Sequence, residues 1–297
     1  MDVHLRDLRY FVTTAEELSF TRAAERLFIS QPALSKQVRQ LETQLRVRLF
    51  ERDRRSVALT APGAALLPLA RELLRSWDEA QRSVGDAAAT EAAVLTLGLS
   101  TSVGRGLLTA VRERFAERRP TWRLRMRQVN WEDASAGLAA GEVDAAFVWL
   151  PLPEQASFTL RVVAREQRWV AFREDHWLAD RTEVDFAELL DEPFLALPGS
   201  AGPLRDHWLG QDARGGRPPI VADTVSNADE TFTAVEEGTG IVLLAAGNAA
   251  IYRRPGTRAI PVTGLSPSEL ALAWRPDDHR PVLRDLAAAL PDLPAPA

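Results

Sequence analysis

Between Leu66 and Val84 the chain places Leu66, Ala70, Leu73, Trp77, Ala80 and Val84 at steps of four, three, four, three and four residues. That spacing is the seam of one long helix, opening at Thr60 as its N-cap and running to about Asp86. At about 1.5 Å per residue such a helix spans about 40 Å, more than one small domain can cover. The chain therefore does not fold around a single core. The seam predicts a second copy of the chain as its cover, and packing within the chain is the alternative. Pro68 lies near the helix start, where a lost backbone hydrogen bond bends a helix more than it breaks it. Gly85 to Ala93, rich in Ala, is expected to close the helix and lead onward.

Charge divides at the same place. Residues 1–60 carry a net +3 and residues 61–297 a net -8, against -5 for the whole chain of 297 residues. A basic end on an acidic body points to a module for binding a polyanion. Lys36 is the single lysine, so the positive charge is almost all arginine, which reflects coding bias more than function. With 46% apolar and 26% charged residues the composition is that of a folded globular protein. No apolar run reaches membrane-spanning length and no leader pattern opens the chain, so a cytoplasmic location is expected. The absence of cysteine removes disulfides, thiolate metal sites and a thiol nucleophile, and the four histidines lack metal-ligand spacing. No metal is expected.

In the basic end, Leu5, Leu8, Phe11, Val12, Ala15 and Leu18 mark an amphipathic helix, which Ser19 stops. A second short helix, Phe20 to Leu27, turns Ala23, Ala24 and Leu27 inward, and Phe28 and Ile29 make a turn. Ser30 then caps a third helix, roughly Gln31 to Leu45, with Pro32 in its first turn and Leu34, Val38, Leu41 and Leu45 as its apolar stripe. Pro32, Ser35, Lys36 and Arg39 fall on the opposite face, beside Gln31 at the tip, and are expected to point outward together. Such a face suits a DNA groove. Gln can bond adenine, a proline ring can touch a thymine methyl, and Lys or Arg can bind guanine or phosphate. Two short helices joined by a tight turn form the helix-turn-helix that seats such a face in the major groove. Beyond it, Glu51 to Ser56 followed by Val57, Leu59 and Thr60 reads as a two-stranded wing, with Arg54 and Arg55 at its tip facing a minor groove.

Taken in order, Leu8-Arg9-Tyr10-Phe11, Ser19-Phe20-Thr21-Arg22-Ala23-Ala24-Glu25-Arg26-Leu27, Ser30-Gln31-Pro32-Ala33-Leu34-Ser35-Lys36-Gln37-Val38, Leu49-Phe50-Glu51-Arg52 and Leu59-Thr60-Ala61-Pro62-Gly63 resemble the winged helix-turn-helix of LysR-type transcriptional regulators. The resemblance implies that Gln31, Pro32, Ser35 and Lys36 face bases, that Ser30 and Arg39 lie near phosphates, and that Arg54 or Arg55 occupies the wing. It implies double-stranded DNA as partner, a homodimer or homotetramer, and RNA polymerase as a further partner.

From Val94 the pattern changes to short apolar runs between amphipathic helices, the mark of an α/β domain with a mainly parallel sheet. Strands are expected at Val94 to Leu99, Leu124 to Val129, Ala145 to Leu150, Arg168 to Phe172, Phe194 to Ala196, Pro219 to Thr224, Gly240 to Ala245 and Leu270 to Trp274. Helices are expected at Leu107 to Arg118, Ala134 to Ala140, Phe186 to Leu190, Pro203 to Leu209, Asp229 to Glu237 and Pro281 to Leu290. Ligands of such sheets bind beyond the carboxyl ends of strands. The polar or aromatic residues falling there are Ser100, Thr101, Ser102, Asn130, Trp131, Trp149, Gly199, Ser200, Ser226 and Asn227.

Gly141-Glu142-Val143-Asp144-Ala145-Ala146-Phe147 and Glu237-Gly238-Thr239-Gly240-Ile241 resemble the effector domain of the same family, which is similar to periplasmic solute-binding proteins. The implied organisation is a DNA-binding domain at 1–60, a dimerising linker helix at 61–90 and a two-lobed effector domain at 91–297. Lobe I takes about 91–162 and 265–297, and lobe II about 163–264, with crossover strands near Leu160 to Arg165 and Ile260 to Leu265. Where family members that bind aromatic-derived dicarboxylates often end the third strand in arginine, this chain has Trp149. A neutral or singly charged organic effector stacking on Trp149 or Trp131 is therefore expected, with no other cofactor. No nucleophile elbow, phosphate loop, H-E-x-x-H or dinucleotide fingerprint occurs, so no catalysis is expected, and His4, His176, His207 and His279 read as surface or capping residues.

Overall fold

The computed structural model describes residues 3–52, 57–103 and 106–291, and the chain divides into two compact units, Met1–Ala88 and Ala89–Ala297. In the first unit α1 (Leu5–Glu17) buries Leu8, Phe11, Val12 and Ala15 of the residues its spacing marked, with Leu5 half-buried and Leu18, just past its end, exposed. It ends where Leu18 takes a left-handed conformation. Ser19 accepts a hydrogen bond from the Arg22 N–H and opens α2 (Phe20–Arg26), whose fully packed Ala23 and Ala24 let the neighbouring helices approach closely. Ser30 does the same for α3 (Gln31–Leu45), taking the Ala33 N–H, with Pro32 in the first turn. Leu34, Val38 and Leu41 are the buried stripe of α3.

The wing is β1 (Phe50–Arg52) paired antiparallel with β2 (Val57–Leu59). Its root is pinned from α3, where Glu42 accepts from the N–H groups of Leu49 and Phe50 at 2.9 and 3.2 Å. Phe50 packs against Phe11 and Phe20 at 5.5 and 5.6 Å, tying wing and helices into one core. Thr60 then caps α4 (Ala61–Glu91) through the Gly63 N–H. A Cβ on Gly63 would stand 2.1 Å from the Leu49 carbonyl oxygen, so this contact between helix start and wing root admits only glycine.

The helix α4 runs further than expected. It continues through Gly85 to Glu91, because Ala87, Ala88 and Ala89 are strong helix formers and one exposed Gly does not outweigh them. The seam also divides. Leu66 and Ala70 pack on the core of their own unit, while Leu73, Trp77 and Val84 are exposed. Packing within the first unit thus holds for the first turns, and Leu73, Trp77 and Val84 are uncovered among the described residues.

The second unit begins with β3 (Val94–Leu99), α5 (Leu107–Arg118), β4 (Arg123–Gln128) and β5 (Ala145–Leu150). Then β6 (Thr159–Glu166) leads through one residue into β7 (Arg168–Arg173). Next come β8 (Val184–Asp185), β9 (Pro193–Ala196), α6 (Pro203–Trp208), β10 (Ile220–Thr224), α7 (Ala228–Glu236), β11 (Val242–Ala245) and α8 (Ala246–Ile251). The chain closes with β12 (Thr257–Thr263), β13 (Ser268–Trp274) and α9 (Pro281–Ala289). A five-stranded sheet has the order β4-β3-β5-β13-β6, and a four-stranded one the order β11-β7-β12-β8, with β10-β9 as a parallel pair. The chain passes between the two larger sheets twice, at β6 to β7 and at β12 to β13. Two lobes result, as expected.

Three expectations need correction. The sheets are mixed, since β13 runs antiparallel to β5 and β6, and β7 antiparallel to β11 and β12. Strands joined directly across the lobes, with no intervening helix, have no right-handed helical crossover to keep them parallel. The helix expected at Ala134 to Ala140 is a chain of turns. There Asp133 accepts from the N–H groups of Ser135 and Gly137, and Ala136 and Gly137 both have positive φ. This turn packs on β3 so closely that a Cβ on Gly98 would lie 2.0 Å from the Ala136 oxygen. Between Phe186 and Leu189 the expected helix is a single 3-10 turn.

Candidate functional site

The exposed face of α3 holds Gln31, Pro32, Lys36 and Arg39, with Ser30 at its cap. Ser35 differs from expectation. It is 8% exposed, and its hydroxyl accepts a 2.9 Å hydrogen bond from Gln31 Nε2. It therefore orients Gln31 and does not itself present an open surface. Arg54 and Arg55 lie outside the described residues. Phe28, in the turn before α3, is 95% exposed with φ +53°, an aromatic side chain that the sequence placed in a turn without a contact.

The cations of this unit fall into two groups. Arg22 and Arg26 are paired with Glu16 and Glu17, Arg71 with Glu16, and Arg9 with Asp78. Lys36 and Arg39, like Arg6, Arg46, Arg48, Arg75 and Arg82, have no carboxylate partner among the described residues. Unpaired charge beside an exposed Gln and Pro at a helix N-terminus is what phosphate contact and base reading require together.

In the second unit the carboxyl ends of both sheets converge on a cavity with about 70 Å³ of room for the centres of water-sized molecules. Ser100 and Thr101 follow β3, Trp149 ends β5, and Trp131 stands on the turn after β4. All four were expected, and all four line it. The indoles are fixed. Trp149 Nε1 donates to Thr101 Oγ1 at 3.2 Å and its ring meets Trp208 edge-on, while Trp131 Nε1 donates to the Ser100 carbonyl at 3.0 Å.

The structure places the other expected residues elsewhere. Asn227 caps α7 through the Glu230 N–H, and the Ser226 N–H is taken by the Glu230 carboxylate. Asn130, Gly199 and Ser200 are exposed and do not line the cavity, and Ser102 donates its N–H to the Tyr252 hydroxyl at 2.9 Å. Helix caps and cavity walls share the same residue types in the same loops, so the sequence offered no means of separating them.

Among the wall residues that went unread are Trp208 on α6, Phe232 on α7, Asn248 on α8 and Tyr252 just beyond it. Asn248 carried a signal, being a lone carboxamide within the apolar run Ala245-Ala246-Gly247-Asn248-Ala249-Ala250-Ile251. Phe232 and Tyr252 stack at 5.4 Å. Burial raises the Tyr252 hydroxyl above its ordinary pKa, so it stays protonated and able to donate.

The motif residues of this unit are structural pins. Asp144, 7% exposed, accepts from the Thr96 N–H and pairs with Arg280, both at 2.6 Å. Gly240 lies so close to the Pro193 carbonyl that a Cβ would be 2.7 Å from its oxygen, and Ile241 bridges to Phe194. At the lobe crossing Arg168 is buried and donates to the carbonyls of Ser266 and His207 at 2.8 and 2.6 Å, and also to Asp212. Burial lowers its pKa, and Asp212 offsets this in part. His207 is not a surface residue as expected. It shares a 3.0 Å hydrogen bond with Ser268, and burial, reinforced by the Arg168 charge, pulls its pKa down to about 4.

A winged helix-turn-helix in one unit and a two-lobed sheet domain around a cavity in the other define a ligand-responsive DNA-binding protein as the class. Sequence comparison makes the family specific. Residues 5–64 match the bacterial regulatory helix-turn-helix protein, lysR family, and residues 88–294 match the LysR substrate binding domain. The chain belongs to the LysR family and is a LysR-type transcriptional regulator. It is 34% identical over 285 residues to the uncharacterized HTH-type transcriptional regulator YnfL of Escherichia coli strain K12, covering 94% of each chain. It is 31% identical over 291 residues to the Hca operon transcriptional activator HcaR of the same organism, covering 96% of each. Among solved structures it is similar to full-length CbnR complexed with its target DNA, at 25% identity and TM-score 0.51, covering 97% of this chain and 98% of that one. No helix among the described residues is long and apolar enough to cross a membrane.

Proposed function

We propose that this regulator binds an inverted-repeat promoter site as a dimer or a dimer of dimers and senses a small organic molecule in the cavity of its second unit. Gln31 and Pro32 read bases, Lys36, Arg39 and Ser30 hold phosphates, and Arg54 or Arg55 enters the minor groove from the wing. The observation that carries this reading is the exposed α3 face, where Lys36 and Arg39 are free of carboxylates beside Gln31 and Pro32, in contrast to Arg22 and Arg26 of α2, which Glu16 and Glu17 of α1 pair. Counterions condensed on DNA are displaced by cations that no carboxylate already neutralises.

The linker, taken as 61–90, is the dimer element. In support, Leu73, Trp77 and Val84 stay 46 to 72% exposed along one helix, at the spacing of a two-helix seam. A pair of recognition helices about one DNA turn apart, or a multiple of it, follows from two-fold symmetry. Effector occupancy acts between lobe I, about 91–162 with 265–297, and lobe II, about 163–264. It shifts DNA binding only by its differential affinity for two arrangements of the dimer. RNA polymerase is the further partner, the cytoplasm the location, and no catalytic residue is assigned. Selection of duplexes from a random-sequence pool with the full-length protein tests the reading, with recovery of inverted repeats as the expected result. Recovery of asymmetric sites, or a Leu73→Glu/Trp77→Glu variant that remains a dimer by sedimentation, contradicts it.

A further inference from the structure

The chemistry of the cavity wall narrows the molecule that fits it. Among the described residues no charged side chain lines the cavity. Several of its polar groups are spoken for: the indole N–H groups of Trp131 and Trp149 are donated within the wall, and the Thr231 hydroxyl donates to the Asn227 carbonyl at 2.7 Å. Among the described wall residues, one buried side-chain polar atom has no partner. Asn248 is 5% exposed, and its side-chain oxygen is buried without a hydrogen-bond partner. A buried carboxamide oxygen left unpaired is destabilising, so a ligand group that supplies the missing donor is favoured over one that cannot.

An anion has no such place. The N-terminus of α7, which adjoins the wall at Ala228, is already filled by Asn227, and the carboxylate of Glu230 stands beside it. Arg254, over the Phe232 ring at 6.0 Å, is neutralised by Asp229 and Glu236. A carboxylate entering the cavity would meet the Asn248 oxygen and lose its water with no cation in return.

Resting on the reading of this cavity as the effector site, we infer that the effector is an uncharged, flat, largely apolar molecule carrying at least one N–H or O–H donor, which it gives to Asn248. The stacked pair Phe232 and Tyr252 and the indoles of Trp131 and Trp149 supply the apolar walls, and Tyr252 offers its hydroxyl proton to an acceptor on the same molecule.

The test uses full-length protein and three probes of one ring system in isothermal titration calorimetry: indole, 1-methylindole and indole-3-carboxylate. Saturable binding of indole at least tenfold tighter than either of the others is expected. In Asn248→Leu the preference of indole over 1-methylindole should fall to near one while 1-methylindole binding persists. Should that variant fail to fold, Asn248→Ser reports the same ratio. Tighter binding of the carboxylate, no saturable binding of indole, or a donor preference unchanged in both Asn248 variants overturns the assignment. Ala228→Trp, which fills the cavity, separates the two levels. If it abolishes binding of a carboxylate-preferring protein, the site stands and the ligand class fails. If it leaves binding of every probe unchanged, the site itself is wrong.

Discussion

The face of α3 and the cavity of the second unit recognise their partners with opposite materials. On α3 the recognising groups are exposed and charged, and they follow one another at helical spacing, so that Gln31, Pro32, Lys36 and Arg39 come from a span of nine residues. In the cavity they are buried and uncharged, and they come from six strands and helices between Ser100 and Tyr252. The difference follows from the partners. DNA is a polyanion met at the surface, where unpaired cations release counterions, whereas a small organic molecule is removed from water and rewarded by apolar contact and a satisfied hydrogen bond.

The sharpest way to break this comparison is to attack the scaffold of one region alone. Arg168→Ala leaves the carbonyls of Ser266 and His207 and the Asp212 carboxylate without their shared donor. It should destabilise the second unit by about 3 kcal/mol, two hydrogen bonds from a buried charged donor at about 1.5 kcal/mol each, with little added by Asp212, which is 36% exposed. Urea unfolding followed by tryptophan fluorescence checks it, since seven of the eight tryptophans lie beyond residue 88. An unchanged midpoint would contradict the structural role given to Arg168.

Next in size is the charge on α3. Replacing both Lys36 and Arg39 with Ala should weaken binding to a selected duplex by roughly a hundredfold, two charge-assisted contacts at about 1.5 kcal/mol each. Gel-shift titration measures it. Ligand binding in the cavity should be unchanged in the same variant.

A pH profile separates the regions in a third way. His207 has a folded pKa of about 4 against 6.5 for the free side chain, so the unfolded chain takes up a proton first as the pH falls. Stability should therefore be lost between about pH 6.5 and 4 and level off below. The total is on the order of 3 kcal/mol, and His207→Gln should remove this part of the slope. Thermal melts of both proteins across that range check it. Smallest in affinity is Gln31→Ala, which should relax base preference by about 1–2 kcal/mol at one position and leave binding to unrelated duplexes nearly unaltered. Competition between matched and single-base-changed duplexes reads that outcome.

How much was legible in the sequence follows the same divide. The helices, caps and wing of the first unit are local, and Ser19, Ser30 and Thr60 cap their helices as their positions indicated. Ser35 escaped because helical spacing assigns a face but not a depth, and a small hydroxyl at the edge of a stripe is covered by the Gln31 side chain above it. The strands of the second unit were legible as apolar runs, but their directions were not, because β6 and β7 join across lobes without a helix. In the cavity Trp131 and Trp149 were legible from their places at strand ends. Phe232, Asn248 and Tyr252 were not, since only the fold brings α7 and α8 to the cavity that the ends of β3 and β5 also line.

The central claim is that unpaired cations on α3, and not the paired arginines of α1 and α2, bind the phosphate backbone. The slope of log affinity against log salt concentration for a selected duplex tests it most directly, compared between Lys36→Ala and Arg26→Ala. A slope shallower by about 0.9 for Lys36→Ala and unchanged for Arg26→Ala is the expected result. Equal slopes in the two variants, or a change confined to Arg26→Ala, would contradict it.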